Sequence, residues 1–263
     1  MPSDSQARYA IATVTAVGKD LALTLREKLG KEIPIYTTPR LADDRVIAIE
    51  GRVVEALGQL FQEVDVLICI MAIGAVVRAI APVLKDKASD PAVVVMDEKA
   101  MNVISLLSGH LGGANQVTRD IAELLGSNPV ITTATDVQNV TALDNLAQSV
   151  NGWRPELREF IKPFNSYLGS GRTVYFYQEK DWVTDLRGLT LVHEEGLAAV
   201  LKGTEPLILL TAEKKDIQRE NLALIYPQPY ILGVGARKDV APAVFREGFE
   251  EFCQQQGISA SEI

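Results

Sequence analysis

The sequence predicts an α/β protein. An N-terminal domain is built on a parallel sheet with helices on both faces, followed by a smaller α/β middle domain and the first strand and helix of a third. Three observations carry this reading. Segments of strand and helix character alternate from Tyr9 to about Asp136, the rhythm of a sheet wound with helices. Val64–Ala72 is an unbroken apolar run of strand length, as expected of a strand covered on both faces. After Asn139 the elements become shorter, the texture of a separate module. The domains are therefore drawn at residues 1–138, 139–226 and 230–263.

Each element has its own signal. Tyr9–Val17 is rich in Ile, Val and Thr and reads as the first strand. Gly18 punctuates it, and Leu21, Leu25 and Leu29 mark a helix over Asp20–Leu29. Ile33–Tyr36 is a short second strand closed by Thr37-Thr38-Pro39. Val53, Leu57 and Leu60 share one face of a helix over Arg52–Glu63. Beyond the apolar run come a helix over Ala75–Ile80 and strands over Ala92–Met96 and Val103–Leu107. A helix over Asn115–Leu125 and a strand over Pro129–Thr133 complete the first domain. The middle module opens with a helix over Asn139–Val150, and a second spans Pro155–Leu168 around Pro163. Strands are expected at Arg172–Tyr177, Leu189–Val192, Leu207–Thr211 and Ala223–Tyr226, with a helix over Glu194–Leu201. Pro227-Gln228-Pro229 is a linker. Tyr230–Val234 then resumes as a strand, and Ala241–Gln255 as a helix.

Composition removes several function classes. The chain has 263 residues, 47% hydrophobic and 23% charged, which excludes disorder and collagen. No apolar run approaches the ~20 residues that span a bilayer. A net charge of −8 argues against a nucleic-acid partner and leaves room for local basic clusters only. Cys69 and Cys253 are far apart and form neither a disulfide framework nor a CxxC pair, so both read as free buried thiols of a reducing compartment. His110 and His193 are too few and too separated for a zinc motif, and no protein metal site is expected. The polar stretch Met1–Arg8 lacks the charged-then-apolar pattern of a signal peptide, which points to the cytoplasm.

The densest cluster of unusual residues is the loop Ser105–Asn115, which leaves a strand and opens a helix. Gly109, Gly112 and Gly113 let the backbone approach a ligand closely, and a helix N-terminus offers N–H groups to an anion. A tight turn without function is the plain alternative, yet Ser108, His110 and Asn115 add chemistry that a bare turn does not need. Its spacing matches neither the P-loop nor GxGxxG. Three other junctions are expected to converge on the same sheet edge. They are Ile73–Arg78, the Ile131–Asp136 segment carrying Thr132, Thr133 and Asp136, and the Thr13, Thr15, Gly18 turn. Asp136 is either a helix cap or a catalytic carboxylate. His110 is a candidate general base, or a histidine that merely bonds a backbone. Lys85, Lys87 and Asp90 form a charged loop, either solvated or a rim for a polyanion. Gly233-Val234-Gly235-Ala236-Arg237-Lys238 is a second glycine-rich turn, basic and lacking the third glycine of a dinucleotide fingerprint.

Several of these runs together resemble a known family. They are Ala75-Val76-Val77-Arg78-Ala79-Ile80-Ala81-Pro82 with Lys87, Asp90-Pro91-Ala92-Val93, the Ser105–Asn115 loop, and Pro129–Asp136. They resemble the CbiG family of cobalamin-biosynthesis proteins, and Gly233–Lys238 resembles the start of that family's third domain. Ala236 stands where the family often has cysteine, and Ile263 falls just after the third domain's first helix. The resemblance implies hydrolysis of cobalt-precorrin-5A: a δ-lactone opens and two carbons leave as acetaldehyde, giving cobalt-precorrin-5B. It implies no cofactor, because cobalt arrives inside the substrate. Partners would be the cobalt-corrinoid and other enzymes of the corrin pathway. On that reading Arg78, Lys87, Arg237 and Lys238 hold peripheral carboxylates, with Gly109, Asn115 and Thr132 lining the site. His110 is the base or an axial contact to cobalt. The N–H groups of Gly112 and Gly113, with Ser108 or Thr133, meet the developing oxyanion. A non-catalytic tetrapyrrole-binding or pathway-scaffold protein is the alternative. Phe245, Phe249 and Phe252 form a helical stripe that buries either in a core or in a homodimer interface.

Overall fold

The computed structural model describes residues 7–86, 89–213, 215–235 and 240–263. The chain divides into two compact units, Pro2–Thr133 and Ala134–Ile263.

The first unit contains the strands β1 (Tyr9–Thr13), β2 (Ile35–Thr37), β3 (Ile47–Ala48), β4 (Val66–Ile70), β5 (Ala92–Met96), β6 (Asn102–Leu107) and β7 (Asn128–Val130). Its helices are α1 (Ala16–Leu29), α2 (Val53–Glu63), α3 (Ile73–Ile80) and α4 (Ala114–Leu125). The strands form one seven-stranded sheet in the order β3-β2-β1-β4-β5-β6-β7. Alternating side chains divide between the two faces. On one face Ile11, Ile68, Ile70, Val94 and Met96 pack against Leu25 of α1 and Ile121 of α4. On the other, Ala12, Leu67, Cys69, Val93 and Val95 meet Leu57 and Phe61 of α2 and Val76 and Ile80 of α3. Each fully buried Leu, Ile or Phe contributes roughly 1.5–3 kcal/mol of transfer free energy, so this double-sided core holds the sheet. The unbroken apolar run of β4 follows from that coverage, since every residue from Val66 to Ile70 is buried.

The sheet is mostly parallel, with one reversal. β6 runs antiparallel to β5, with Val93 opposite Leu107 and Met96 opposite Val103, and β7 runs parallel to β6. The physical reason lies in the connection. Only Asp97–Met101 separate the two strands, far too few for the crossover a parallel pair requires. Asp97 shapes the turn by accepting the N–H groups of Lys99, Met101 and Asn102.

The second unit contains α5 (Ala134–Val137), α6 (Leu143–Ser149), α7 (Arg158–Gly169), β8 (Tyr175–Gln178), β9 (Thr190–Leu191), α8 (Glu194–Leu201), β10 (Leu207–Leu210), β11 (Leu222–Ile225) and α9 (Pro242–Gln256). Its parallel strands are ordered β11-β10-β8-β9. Phe164, Phe176, Ile208, Leu210 and Ile225 fill one side of that sheet with α6 and α7, and Tyr177, Leu207, Leu209 and Leu222 fill the other. Tyr230–Val234 is not a strand: it joins no sheet among the described residues, its Tyr230 N–H donates to the Glu262 carbonyl, and Ile231 is 91% exposed. The Phe245, Phe249, Phe252 stripe of α9 is only partly covered, and Cys253 is the buried residue of that helix. The end of the chain is fixed instead by Glu262. Its buried carboxylate accepts from Lys180 Nζ at 2.6 Å, Trp182 Nε1 at 3.1 Å and the Ser259 N–H at 2.7 Å.

Cys69 and Cys253 are both free and buried, and burial pushes the Cys69 thiol up to about 12. Among the described residues, no helix is long and apolar enough to cross a membrane. Among them, too, no group of three or more His, Cys, Asp or Glu side chains is placed to hold a metal ion.

Candidate active site

The loop between β6 and α4 is a compact knot. Ser108 leaves the strand with φ 56°, a left-handed conformation uncommon for a residue with a side chain. The chain then folds back on itself. The Ala114 N–H donates to the Ser108 carbonyl, the Asn115 N–H to the Gly109 carbonyl, and the Gly113 N–H to the His110 carbonyl. Gly113, at φ 83°, is the residue just before α4. A Cβ on Gly109 would lie 2.7 Å from Asn115 Oδ1, and one on Gly112 would lie 2.5 Å from Ser108 Cβ. Both glycines are thus required by contact.

Asn115 ties three elements together. Its Oδ1 accepts from Ser105 Oγ of β6 at 2.6 Å, and its Nδ2 donates to Thr133 Oγ1, beyond β7, at 3.1 Å. Thr133 accepts in that bond, which leaves its hydroxyl proton for another acceptor. Ser105 is the residue here that sequence reasoning did not single out. Ser108 and His110 are each 6% exposed and Asn115 is 3% exposed. The buried Ser108 Oγ has no hydrogen-bond partner among the described residues.

The antiparallel β6 decides which junctions share this edge. Leu107 lies opposite Val93 near the start of β5, so the knot sits where β1, β4 and β5 begin. The Thr132-Thr133 stretch reaches the same edge because β7 runs with β6. Asp90 and Pro91 do too, since they lead into β5. There Asp90, 8% exposed, accepts the Lys85 N–H through both carboxylate oxygens. Two of the expected junctions lie elsewhere. Thr13, Thr15 and Gly18 follow the carboxyl end of β1, and α3 follows the carboxyl end of β4, so both stand at the opposite edge. There Thr15 caps α1 by accepting the Gly18 N–H and donates to Glu98 at 2.7 Å.

Arg78 is corrected on the same ground. Its Nη1 donates to the Gly74 carbonyl at 2.9 Å, which directs the guanidinium toward the start of α3 and away from the knot. The pairing of Gly112 and Gly113 is corrected as well. The Gly113 N–H is consumed in the turn, whereas the Gly112 N–H meets no acceptor among the described residues. Asp136 belongs to α5 in the second unit, where its carbonyl accepts from the Asn139 N–H. Lys87, Arg237 and Lys238 lie outside the described residues.

Residues 55–136, which include the whole knot, match the family model described as cobalamin synthesis G N-terminal. A cobalt-precorrin-5A hydrolase from Priestia megaterium is 38% identical over 285 aligned positions, covering all of this chain and 74% of the relative. The chain belongs to the CbiG family. A cobalt-precorrin-5A hydrolase from Salmonella typhimurium is 36% identical over 226 positions, or 82% of this chain. The chain spans 63% of that CbiG relative's length. The fold also matches a crystal structure from Sulfolobus solfataricus described as a cobalamin biosynthesis protein G homolog. That match has a TM-score of 0.52 at 21% identity, covering 97% of this chain and 72% of the other.

Proposed function

We propose that this chain hydrolyses cobalt-precorrin-5A, opening the δ-lactone with loss of acetaldehyde to give cobalt-precorrin-5B. The observation that carries the reading is its 36–38% identity to two proteins bearing that name. The tied loop within the matched N-terminal region supports a site there. The substrate is a polycarboxylate that brings its own cobalt, so no resident cofactor is required.

Lactone hydrolysis needs a base to activate water and donors for the oxyanion. His110 takes the base role, with an axial contact to cobalt as its other assignment. The Gly112 N–H and the Thr133 hydroxyl are the donors still available in the knot, and Ser108 Oγ is a third. Because Ser108 and His110 are each 6% exposed, the reaction requires the loop to part as the macrocycle arrives. Lys87, Arg237 and Lys238, which lie outside the described residues, are assigned to peripheral carboxylates of the substrate on the family resemblance.

Incubation with cobalt-precorrin-5A should release acetaldehyde, and His110→Ala should slow release by roughly 10²–10⁴-fold, the usual contribution of a positioned base. Acetaldehyde release at the parental rate by His110→Ala would remove the base assignment. Binding of the substrate without any acetaldehyde would overturn the hydrolase reading.

A further inference from the structure

The second unit holds a cavity of about 530 Å³ along the free edge of its sheet. β11 is the edge strand there. The Leu207 N–H donates to the Asn221 carbonyl and the Thr211 N–H to the Ile225 carbonyl. In a parallel pair this alternation turns the backbone groups of Leu222 and Leu224 away from β10, toward the open side. The apolar part of the lining comes from those two leucines with Leu157, Phe160, Ile217 and Tyr226.

Two guanidinium groups stand in the wall, and neither meets a carboxylate among the described residues. Arg154 donates to the carbonyls of Asn151 and Trp153 and to the Gln228 side chain. Arg219 donates to the carbonyls of Gly203 and Glu205. Carbonyl partners fix a guanidinium in place without cancelling its charge. The Nη1 of Arg219 is buried and makes no hydrogen bond among the described residues, so nothing on that side of the guanidinium offsets its charge. Burial pulls the Arg219 pKa below its ordinary value, while nearby Glu205 pushes the other way. Exposed Glu156, which also lines the cavity, adds one negative charge and disfavours a dense polyanion.

We propose that this cavity binds a carboxylate carried on an apolar, ring-sized frame. The two uncancelled positive charges, and the Nη2 N–H that each arginine keeps beyond those bonds, attract a carboxylate, the apolar lining takes the frame, and the volume falls within the range of small-molecule pockets. Two sources share that chemistry: an acid arm at the edge of a tetrapyrrole, or a separate aromatic acid. The first source rests on the hydrolase reading above; the second does not.

Calorimetry on the full chain tests the proposal with 2-naphthoate, its neutral amide, and the octacarboxylate porphyrin uroporphyrin. The acid should bind saturably, and the amide about tenfold or more weaker, the scale of a lost charge-assisted hydrogen bond. Arg219→Gln and Arg154→Gln should each weaken the acid by about tenfold, with unchanged circular dichroism. Displacement of naphthoate by uroporphyrin identifies the tetrapyrrole as the source. Naphthoate binding that uroporphyrin does not displace identifies a separate acid. The proposal is overturned if the acid does not saturate, if acid and amide bind alike, or if both arginine variants bind as the parent does. Acetaldehyde release is not read in this experiment, so its outcome stands apart from the hydrolase reading.

Discussion

The turn after β6 and the turn around Gly233 both set glycines between an apolar segment and a helix, yet those glycines meet different surroundings. An added Cβ at Gly112 would lie 2.5 Å from Ser108 Cβ, 2.9 Å from the Ser108 carbonyl oxygen and 3.2 Å from the Ala92 nitrogen. At Gly233 and Gly235 it would meet nothing within 4 Å among the described residues. The first turn is packed against β5 and knotted through Asn115. The second follows a segment that pairs with no strand among the described residues. Glycine therefore reports a structural demand where a side chain would collide with backbone, and little where space is open.

The largest expected effect breaks or confirms this contrast directly. Gly112→Ala must move backbone, and urea unfolding should show a loss of about 3 kcal/mol, at the upper end for overpacking. Gly233→Ala should stay within about 0.5 kcal/mol of the parent. Equal losses would dissolve the distinction. A smaller effect sharpens it by testing the knot rather than its glycines. Asn115→Ala removes the acceptor of Ser105 and the donor to Thr133, for a loss of about 2 kcal/mol by the same measurement. A change below about 0.5 kcal/mol would show that these bonds merely decorate the turn.

Much of the fold was legible because periodicity reports burial. The Val66–Ile70 strand announced itself by an apolar run, and Glu194–Leu201 is a helix from end to end as expected. The reversal of β6 was missed although its signal was present, since a connection as short as Asp97–Met101 forces a hairpin. That omission placed the Ser108–Asn115 loop on the same edge as Arg78 and the Thr13–Gly18 turn. Tyr230–Val234 misled for the converse reason. Its apolar residues suit a strand, but a strand also needs a partner that local sequence does not specify. The Ser108–Asn115 loop was found through its residue types. The partners of Asn115 were not, because Ser105 and Thr133 meet it through tertiary folding.

Glu262 gives the last segment of the chain an acid-sensitive clasp. α9 buries little besides Cys253, so its attachment leans on charge more than on oil. Burial opposes the Glu262 carboxylate, but Lys180, the Ser259 N–H and Trp182 outweigh it and hold its pKa below the ordinary value. A depressed carboxylate stabilises the docked state above the unfolded pKa of about 4.3, and that stabilisation fades as pH falls through the folded value. Between about pH 6 and about pH 3, α9 amides should lose protection from hydrogen exchange, corrected for intrinsic rates, before those of β8 and β10. If Glu262→Gln shows the same pH-dependent loss, the clasp lies elsewhere. The end of the chain would then come loose in acid while the sheet it rests on stays folded.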